Sequence, residues 1–139
     1  MSKTAIIYWS GTGNTEAMAI AIEKGLKSGG EETALLAADK ATPGVAGEYG
    51  KLALGCPSMG AEELEDSVFE PFFASVEHEL AGKKIALFGS YGWGDGQWMR
   101  DWQERAKKAG ADAFEEGLIM QEAPDEAACE AYGKRFAAY

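Results

Sequence analysis

Short apolar runs alternate with segments of helical periodicity along the whole chain. Residues 4–9 (TAIIYW) are almost entirely apolar, as in a strand that a sheet buries on both faces. In the next segment, residues 14–27, the apolar side chains of Met18, Ile22 and Leu26 recur every four positions and mark one stripe of a helix. The alternation predicts strands that are joined by helices.

Five strands and four helices follow from this pattern. The strands are predicted at residues 4–9, 33–37, 51–56, 84–88 and 118–120, the last with an alternative start at Phe114. The helices are predicted at residues 14–27, 71–80, 98–108 and 125–138. Residues 38–50 fit either a short helix or a long loop.

Apolar strands that alternate with helices are typical of a parallel sheet with helices on both faces, and right-handed crossovers favour a doubly wound order. The length of 139 residues predicts a single domain over residues 1–139. Such sheets bind ligands beyond the carboxyl ends of their strands, where the strand order reverses. We therefore expect functional loops after the first, third and fourth strands.

The first of these loops is neutral and rich in hydroxyl groups. Its glycines and the N-terminus of the following helix can aim several N–H groups at one anion, which predicts a phosphate site without the lysine of a nucleoside-triphosphate loop. Alternatively, Asn14 or Thr12 only caps the helix. The loop consists of Ser10, Gly11, Thr12, Gly13, Asn14 and Thr15.

A dinucleotide fingerprint is a second alternative for this loop. Gly11 and Gly13 fit its opening, and Asp39 could bind a ribose, but Glu16 stands where the third glycine belongs. The density of hydroxyl groups favours a terminal monophosphate over a pyrophosphate.

The second and third loops, residues 56–62 (CPSMGAE) and 89–96 (GSYGWGDG), carry large flat or polarizable side chains. Met59 can lie against an aromatic ring, and Tyr91 and Trp93 sit among glycines that cannot bury them. Aromatic side chains in loops often just cover the edge of a core. A ligand with a flat ring and a phosphate would engage all three loops at once.

The three motifs SGTGNT, GCPSMGAEELEDSVFEPFF and FGSYGWGDGQWMRDW resemble those of the short-chain flavodoxins of anaerobic bacteria, and the resemblance extends over essentially the whole chain. It implies a flavodoxin-like doubly wound three-layer sandwich with a five-stranded parallel sheet of order 2-1-3-4-5. It also implies noncovalently bound FMN and a carrier of single electrons at low potential, without substrate turnover of its own.

The resemblance also implies roles for individual residues. The loop of residues 10–15 matches the loop that binds the FMN phosphate. Met59 matches the side chain on the inner face of the isoalloxazine ring, and Trp93 matches the aromatic residue on its outer face. Ser90 matches a hydroxyl group close to the flavin.

Backbone and carboxylate contacts to the ring are implied in the same way. Glu62 matches the carboxylate that accepts from flavin N3–H, and Gly92 matches the N–H aimed at O2 and N1. Gly60 matches the residue whose carbonyl group accepts from N5–H after one-electron reduction. The remaining members of the predicted site are Pro57, Ser58, Ala61, Tyr91 and Gly94.

Ala61 occupies a position that varies among flavodoxins. If the reduced protein needs a positive φ there, alanine costs about 1–2 kcal/mol of strain relative to glycine. We hypothesise that Ala61 thereby weakens the semiquinone.

The charge pattern restricts the partners. Thirteen basic and 23 acidic residues give a net charge of −10, which argues against binding to nucleic acid or to an anionic membrane. Between Leu52 and Gly82 there is no Lys or Arg. This acidic run is either a solvated face or a functional surface. As a functional surface it would lower the second FMN potential. It would also steer basic redox proteins, such as flavodoxin or ferredoxin reductases and acceptor enzymes, into transient complexes. Its acids are Glu62, Glu63, Glu65, Asp66, Glu70, Glu77 and Glu79.

The chain has two cysteines, which lack the spacing of metal ligands, and its N-terminus does not resemble a signal peptide. Both features predict a cytoplasmic protein, which we expect to be a monomer. His78 is expected at the surface, and Cys56 and Cys129 in the core. Two other functions stay open: an FMN-dependent reductase of the quinone type on the same fold, and a phosphoacceptor receiver domain, although Asp39, Asp66 and Asp95 form no acidic cluster.

Overall fold

One parallel sheet organises the chain, and the computed structural model describes it over residues 3–139. The spatial order of the strands is β2-β1-β3-β4-β5, and β6 pairs with β4 as well. Because β5 and β6 occupy the same edge of β4, they form one interrupted fifth strand, and the predicted order 2-1-3-4-5 is confirmed. The strands are β1 (Lys3–Tyr8), β2 (Glu32–Ala37), β3 (Lys51–Gly55), β4 (Lys84–Tyr91), β5 (Asp112–Ala113) and β6 (Leu118–Gln121).

The fifth strand is interrupted where Phe114 turns inward. Ala113 pairs with Ile85, and the ladder resumes only at Leu118. Between them the ring of Phe114 packs against Tyr132, with centroids 5.3 Å apart. The alternative strand start at Phe114 is therefore wrong: the strand begins at Asp112, and Phe114, whose N–H donates to the Ile85 carbonyl oxygen at 2.7 Å, follows its first part.

The helices cover both faces of the sheet. The helix predicted to begin at Pro71 begins two residues earlier and ends in a 3₁₀ turn, Glu77–Glu79, and residues 38–50 contain a 3₁₀ turn and a short helix. The helices are α1 (Asn14–Ser28), α2 (Val45–Glu48), α3 (Phe69–Val76), α4 (Gln97–Lys108) and α5 (Glu126–Ala137). Within residues 3–139, no helix has both the length and the apolarity that a membrane crossing requires.

Two cores hold the layers together. On one face of the sheet, α1 and α5 bury Ile6 and Phe88. On the other face, α3 and α4 bury Leu54, and Trp102 of α4 is itself buried there. The strands β1 and β3 are thus covered on both sides, as their apolar runs predict.

Strand β4 is longer than predicted. It continues through Ser90 and Tyr91 because β6 pairs with it from Phe88 to Tyr91. Three residues assigned to the third loop, Gly89, Ser90 and Tyr91, therefore lie on a strand, which places them at the carboxyl edge of the sheet beside the ends of β1 and β3.

Candidate functional site

The loop between β1 and α1 is folded around the hydroxyl group of Ser10. Its Oγ accepts hydrogen bonds from the N–H of Gly13 at 3.0 Å and of Glu16 at 3.3 Å. Gly13 has φ +97°, a conformation that glycine adopts without strain, and α1 follows at once. Gly13 is the N-cap residue, and the side chain that accepts an N–H of the first helical turn is that of Ser10, so the alternative of a cap by Asn14 or Thr12 is wrong.

A hydrogen bond between two hydroxyl groups joins this loop to the end of β4. Thr15 Oγ1 and Ser90 Oγ are 2.7 Å apart, and both side chains are buried. The first turn of α1 is thus fixed to β4, and the hydroxyl-rich loop faces the carboxyl edge of the sheet.

The second loop forms a tight turn that projects Met59 outward. The N–H groups of Met59 and Glu63 each donate to the carbonyl group of the other at 2.9 Å. Within this turn, Gly60 has φ +50° and Glu62 has φ +54°, while the φ of Ala61 is not positive. In this conformation Ala61 is therefore free of the strain that our hypothesis assigns to the reduced protein.

The two aromatic residues of the third motif differ in their surroundings. The ring of Tyr91 packs against Trp98 of α4, with centroids 5.5 Å apart, so it covers a core edge. Trp93 is 60% exposed. Of the two, Trp93 offers the free face that the sequence predicts for a stacking partner.

A pocket of about 310 Å³ opens where the three loops meet, and eleven of the seventeen predicted site residues line it. Its volume suits a small cofactor. A larger depression of about 760 Å³ lies at the far ends of α3 and α4, is lined mainly by charged side chains and contains none of the predicted residues. The pocket at the carboxyl edge is lined by Ser10, Gly11, Thr12, Asn14, Thr15, Pro57, Ser58, Met59, Ser90, Tyr91, Gly92 and Glu122.

The other six predicted residues, namely Gly13, Gly60, Ala61, Glu62, Trp93 and Gly94, are next to the pocket in the chain without lining it. Among them, Glu62 accepts hydrogen bonds from the N–H of Asp95 at 3.3 Å and of Trp98 at 3.2 Å. Its carboxylate therefore ties the second loop to the beginning of α4, and its contact with flavin N3–H stays a prediction.

Sequence reasoning missed Glu122, which follows β6 and lines the same pocket. Its N–H donates to the carbonyl oxygen of Tyr91 at 2.8 Å. The fifth strand ends at the same edge as the others, and this topological signal could have drawn attention to its loop.

The cysteines are packing residues, as predicted. Cys56 and Cys129 are both fully buried. Burial raises the pKa of the Cys56 thiol to about 12 and that of Cys129 to about 11, so both stay protonated near neutral pH. His78 is exposed, as expected. No cluster of His, Cys, Asp or Glu within residues 3–139 has the arrangement of a metal site.

The donor set of the pocket fits FMN. Hydroxyl groups and helix N–H groups surround one end, where a phosphate group would be bound without a buried cation. Ser58 Oγ is buried, and it has no hydrogen-bond partner among the described residues. A buried hydroxyl group without a partner is costly, which indicates a ligand that would satisfy it.

Comparisons with known proteins agree with this assignment. The family model described as "Flavodoxin" matches residues 6–133. A flavodoxin of Clostridium beijerinckii is 47% identical over 134 residues, which cover 95% of this chain and 97% of that protein. A flavodoxin of Megasphaera elsdenii is 47% identical over 122 residues, 88% of each chain. The solution structure of the two-electron reduced M. elsdenii flavodoxin superposes with a TM-score of 0.90 at 44% identity, covering 98% of this chain and 99% of that one.

Proposed function

This chain belongs to the flavodoxin family, and we propose that it carries single electrons at low potential by cycling FMN between the neutral semiquinone and the anionic hydroquinone. Its cofactor is FMN, and it is an electron-transfer protein rather than an enzyme. The bound FMN supplies the redox chemistry. The chain supplies binding, orientation and electrostatics.

One observation carries the proposal: the pocket is neutral and hydroxyl-lined at its inner end and has exposed apolar side chains at its rim. Met59 is 36% exposed and lines the pocket, and Trp93 is 60% exposed one residue beyond the lining residue Gly92. Among the described residues, few large apolar side chains are as exposed as these two. They suit a flat ring whose two faces contact these side chains and whose edge stays exposed to a redox partner.

The chain's own groups have distinct tasks in this proposal. The loop of Ser10 and Thr15 holds the phosphate group, and Met59 and Trp93 flank the ring. The carbonyl oxygen of Gly60 would accept a hydrogen bond from a ring N–H once the cofactor is reduced. Gly60 has φ +50°, and the turn that carries this carbonyl group is closed by the Met59–Glu63 pair of hydrogen bonds.

Turnover measurements separate this carrier from a quinone-type reductase on the same fold. We expect the FMN-loaded protein to show no saturable steady-state reduction of quinones when a chemical reductant is in excess. Rapid, saturable turnover would instead indicate a substrate site over the ring and would contradict the proposal.

We also propose that basic redox proteins dock transiently on the acidic surface near the pocket, in the cytoplasm and with this chain as a monomer. Glu63 and Asp66 are exposed beside the second loop and carry no basic partner among the described ion pairs. Electron transfer to a basic haem protein should therefore slow as ionic strength rises. A rate that is independent of salt would contradict electrostatic docking.

A further inference from the structure

Met59 is the most exposed methionine in the described part of the chain. The sequence has five methionines, and four of them lie within residues 3–139. Met18 and Met99 are buried in the two cores, and Met120 is half-buried. Met59 is 36% exposed and lines the pocket. We propose that Met59 is a modification site: hydrogen peroxide converts its thioether to the sulfoxide before FMN is loaded, and the oxidised chain then binds FMN weakly.

The second loop holds Met59 in this exposed position. The N–H groups of Met59 and Glu63 each donate to the carbonyl oxygen of the other at 2.9 Å, and Gly60 between them has φ +50°. In the described part of the chain, the hydrogen bonds of Met59 involve its backbone only. Its sulfur atom therefore keeps both lone pairs available to an oxidant that arrives from solvent.

Met120 lies at the same edge of the sheet but has a different sulfur environment. It belongs to β6, and its Sδ accepts the N–H of Asp125 at 3.1 Å and the thiol of Cys129 at 3.9 Å. Oxidation by peroxide uses a lone pair of the sulfur atom, so two donors at the Met120 sulfur should slow its oxidation. The chain thus contains an internal reference for the reactivity of Met59.

The two cysteines do not compete with Met59 for the oxidant. The reactive form of cysteine is the thiolate. Cys56 and Cys129 are fully buried, and burial raises the pKa of their thiols to about 12 and about 11. Both thiols therefore stay protonated and away from solvent near neutral pH. Hydrogen peroxide is uncharged, so the net charge of −10 does not repel it from the pocket.

The reaction needs hydrogen peroxide as its only oxidant. The Met59 sulfur attacks one peroxide oxygen, an S–O bond forms as the O–O bond breaks, and the other oxygen leaves as water with the proton of the first. The sulfur atom loses two electrons and the peroxide gains them. The product is methionine sulfoxide, which methionine sulfoxide reductases reduce again.

The consequence for cofactor loading rests on the proposed function, in which Met59 contacts one face of the flavin ring. A bound ring would cover the Met59 sulfur and protect it from peroxide. The sulfoxide is polar, so it replaces a favourable contact between sulfur and an aromatic ring by an unfavourable one. We expect the oxidised chain to bind FMN about fivefold more weakly than the untreated chain.

Peptide mapping by mass spectrometry identifies the residue that is oxidised. In the full chain treated with peroxide without FMN, an added oxygen atom should appear first on the tryptic peptide of Met59 and only at higher doses on that of Met120. Saturation with FMN should protect the Met59 peptide. Trypsin places each described methionine in a peptide of its own, namely residues 4–24, 52–83, 85–100 and 109–134.

Fluorescence titration then measures FMN affinity before and after the peroxide treatment. The wild type and the matched control Met120→Leu should both lose affinity about fivefold. Met59→Leu should keep the affinity that it has before treatment. Treatment of the oxidised wild type with a methionine sulfoxide reductase should restore its affinity.

Three results would overturn the inference: oxidation of the Met120 peptide before the Met59 peptide, equal oxidation of Met59 with and without FMN, or an unchanged FMN affinity after Met59 is oxidised. None of them contradicts one-electron carriage, which anaerobic reduction measures separately. A wild-type protein that bleaches without a blue semiquinone would contradict the proposed function and leave the oxidation of Met59 intact.

Discussion

The carboxylate of Glu65 stabilises the segment that joins the second loop to the beginning of α3. Its replacement by glutamine tests that role. One oxygen accepts the N–H groups of Val68 and Phe69, both at 2.8 Å. The other accepts the N–H of Ser67 at 2.9 Å and also the Ser67 hydroxyl. The side chain therefore satisfies backbone donors at the beginning of α3 from a buried position.

Glutamine at this position keeps one acceptor oxygen and places an amide donor at the other. The Ser67 N–H then faces a donor and loses its hydrogen bond, the Ser67 hydroxyl has to accept from the amide instead of donating, and the other two hydrogen bonds lose the charge of their acceptor. At about 1–1.5 kcal/mol for the lost bond and a similar amount for the lost charge at the other acceptor, Glu65→Gln should lower the free energy of unfolding by about 2–3 kcal/mol. With a urea m-value of about 2 kcal/mol/M, the unfolding midpoint should fall by about 1–1.5 M.

The effect should depend on pH. Burial raises the pKa of the Glu65 carboxyl group, but hydrogen bonds from Ser67, Phe69 and Val68 outweigh burial, so the net pKa is lowered. A carboxyl group with a lowered folded-state pKa adds stability above its unfolded pKa and loses it as the pH falls through the folded one. The wild type should therefore exceed Glu65→Gln in stability at pH 7, and the gap should narrow as the pH falls below about 4.

Urea unfolding of the apoprotein, followed by far-UV circular dichroism, measures both quantities. Asp66→Asn is the matched control because it removes one charge from the adjacent, exposed residue. Equal unfolding midpoints for Glu65→Gln and Asp66→Asn at pH 7, or a gap that does not change with pH, would refute the reasoning.

Three further predictions concern the ring, the fold and the potential. Trp93→Ala should weaken FMN binding about tenfold through the loss of aromatic stacking of about 1–1.5 kcal/mol, with Trp93→Phe intermediate in a fluorescence titration; equal affinities would contradict stacking. Arg105→Leu removes the ion pairs with Glu70 and Glu77 and should lower stability by about 1–2 kcal/mol in thermal unfolding, without changing FMN affinity. Ala61→Gly should raise the first potential by several tens of millivolts, at about 59 mV per 1.4 kcal/mol, in a redox titration, and an unchanged value would exclude the strain hypothesis.

Most of the fold could be predicted because the buried strands are short apolar runs separated by clear helical stripes. The order of the sheet followed from the resemblance and from general rules of handedness. The interruption of the fifth strand could not be predicted, because it accompanies the packing of the Phe114 ring against Tyr132 of α5. That contact joins residues far apart in the chain, and the local pattern of apolar and polar residues does not predict it.

The site was predicted more completely at its phosphate end than at its wall. The hydroxyl groups of Ser10 and Thr15 are adjacent in sequence to a strand end, so their convergence follows from topology. Glu122 was missed because only three strand ends were expected to contribute. Tyr91 was placed in a loop because its glycine neighbours hid the extension of β4 that β6 stabilises.

Stepwise anaerobic reduction of the purified protein, followed by visible absorbance, tests the central claim most directly. The proposed carrier should be yellow, should pass through a blue neutral semiquinone, and should bleach only with the second electron. Direct bleaching without the blue species would contradict one-electron carriage. A colourless protein that FMN cannot reconstitute would contradict the whole assignment of the site.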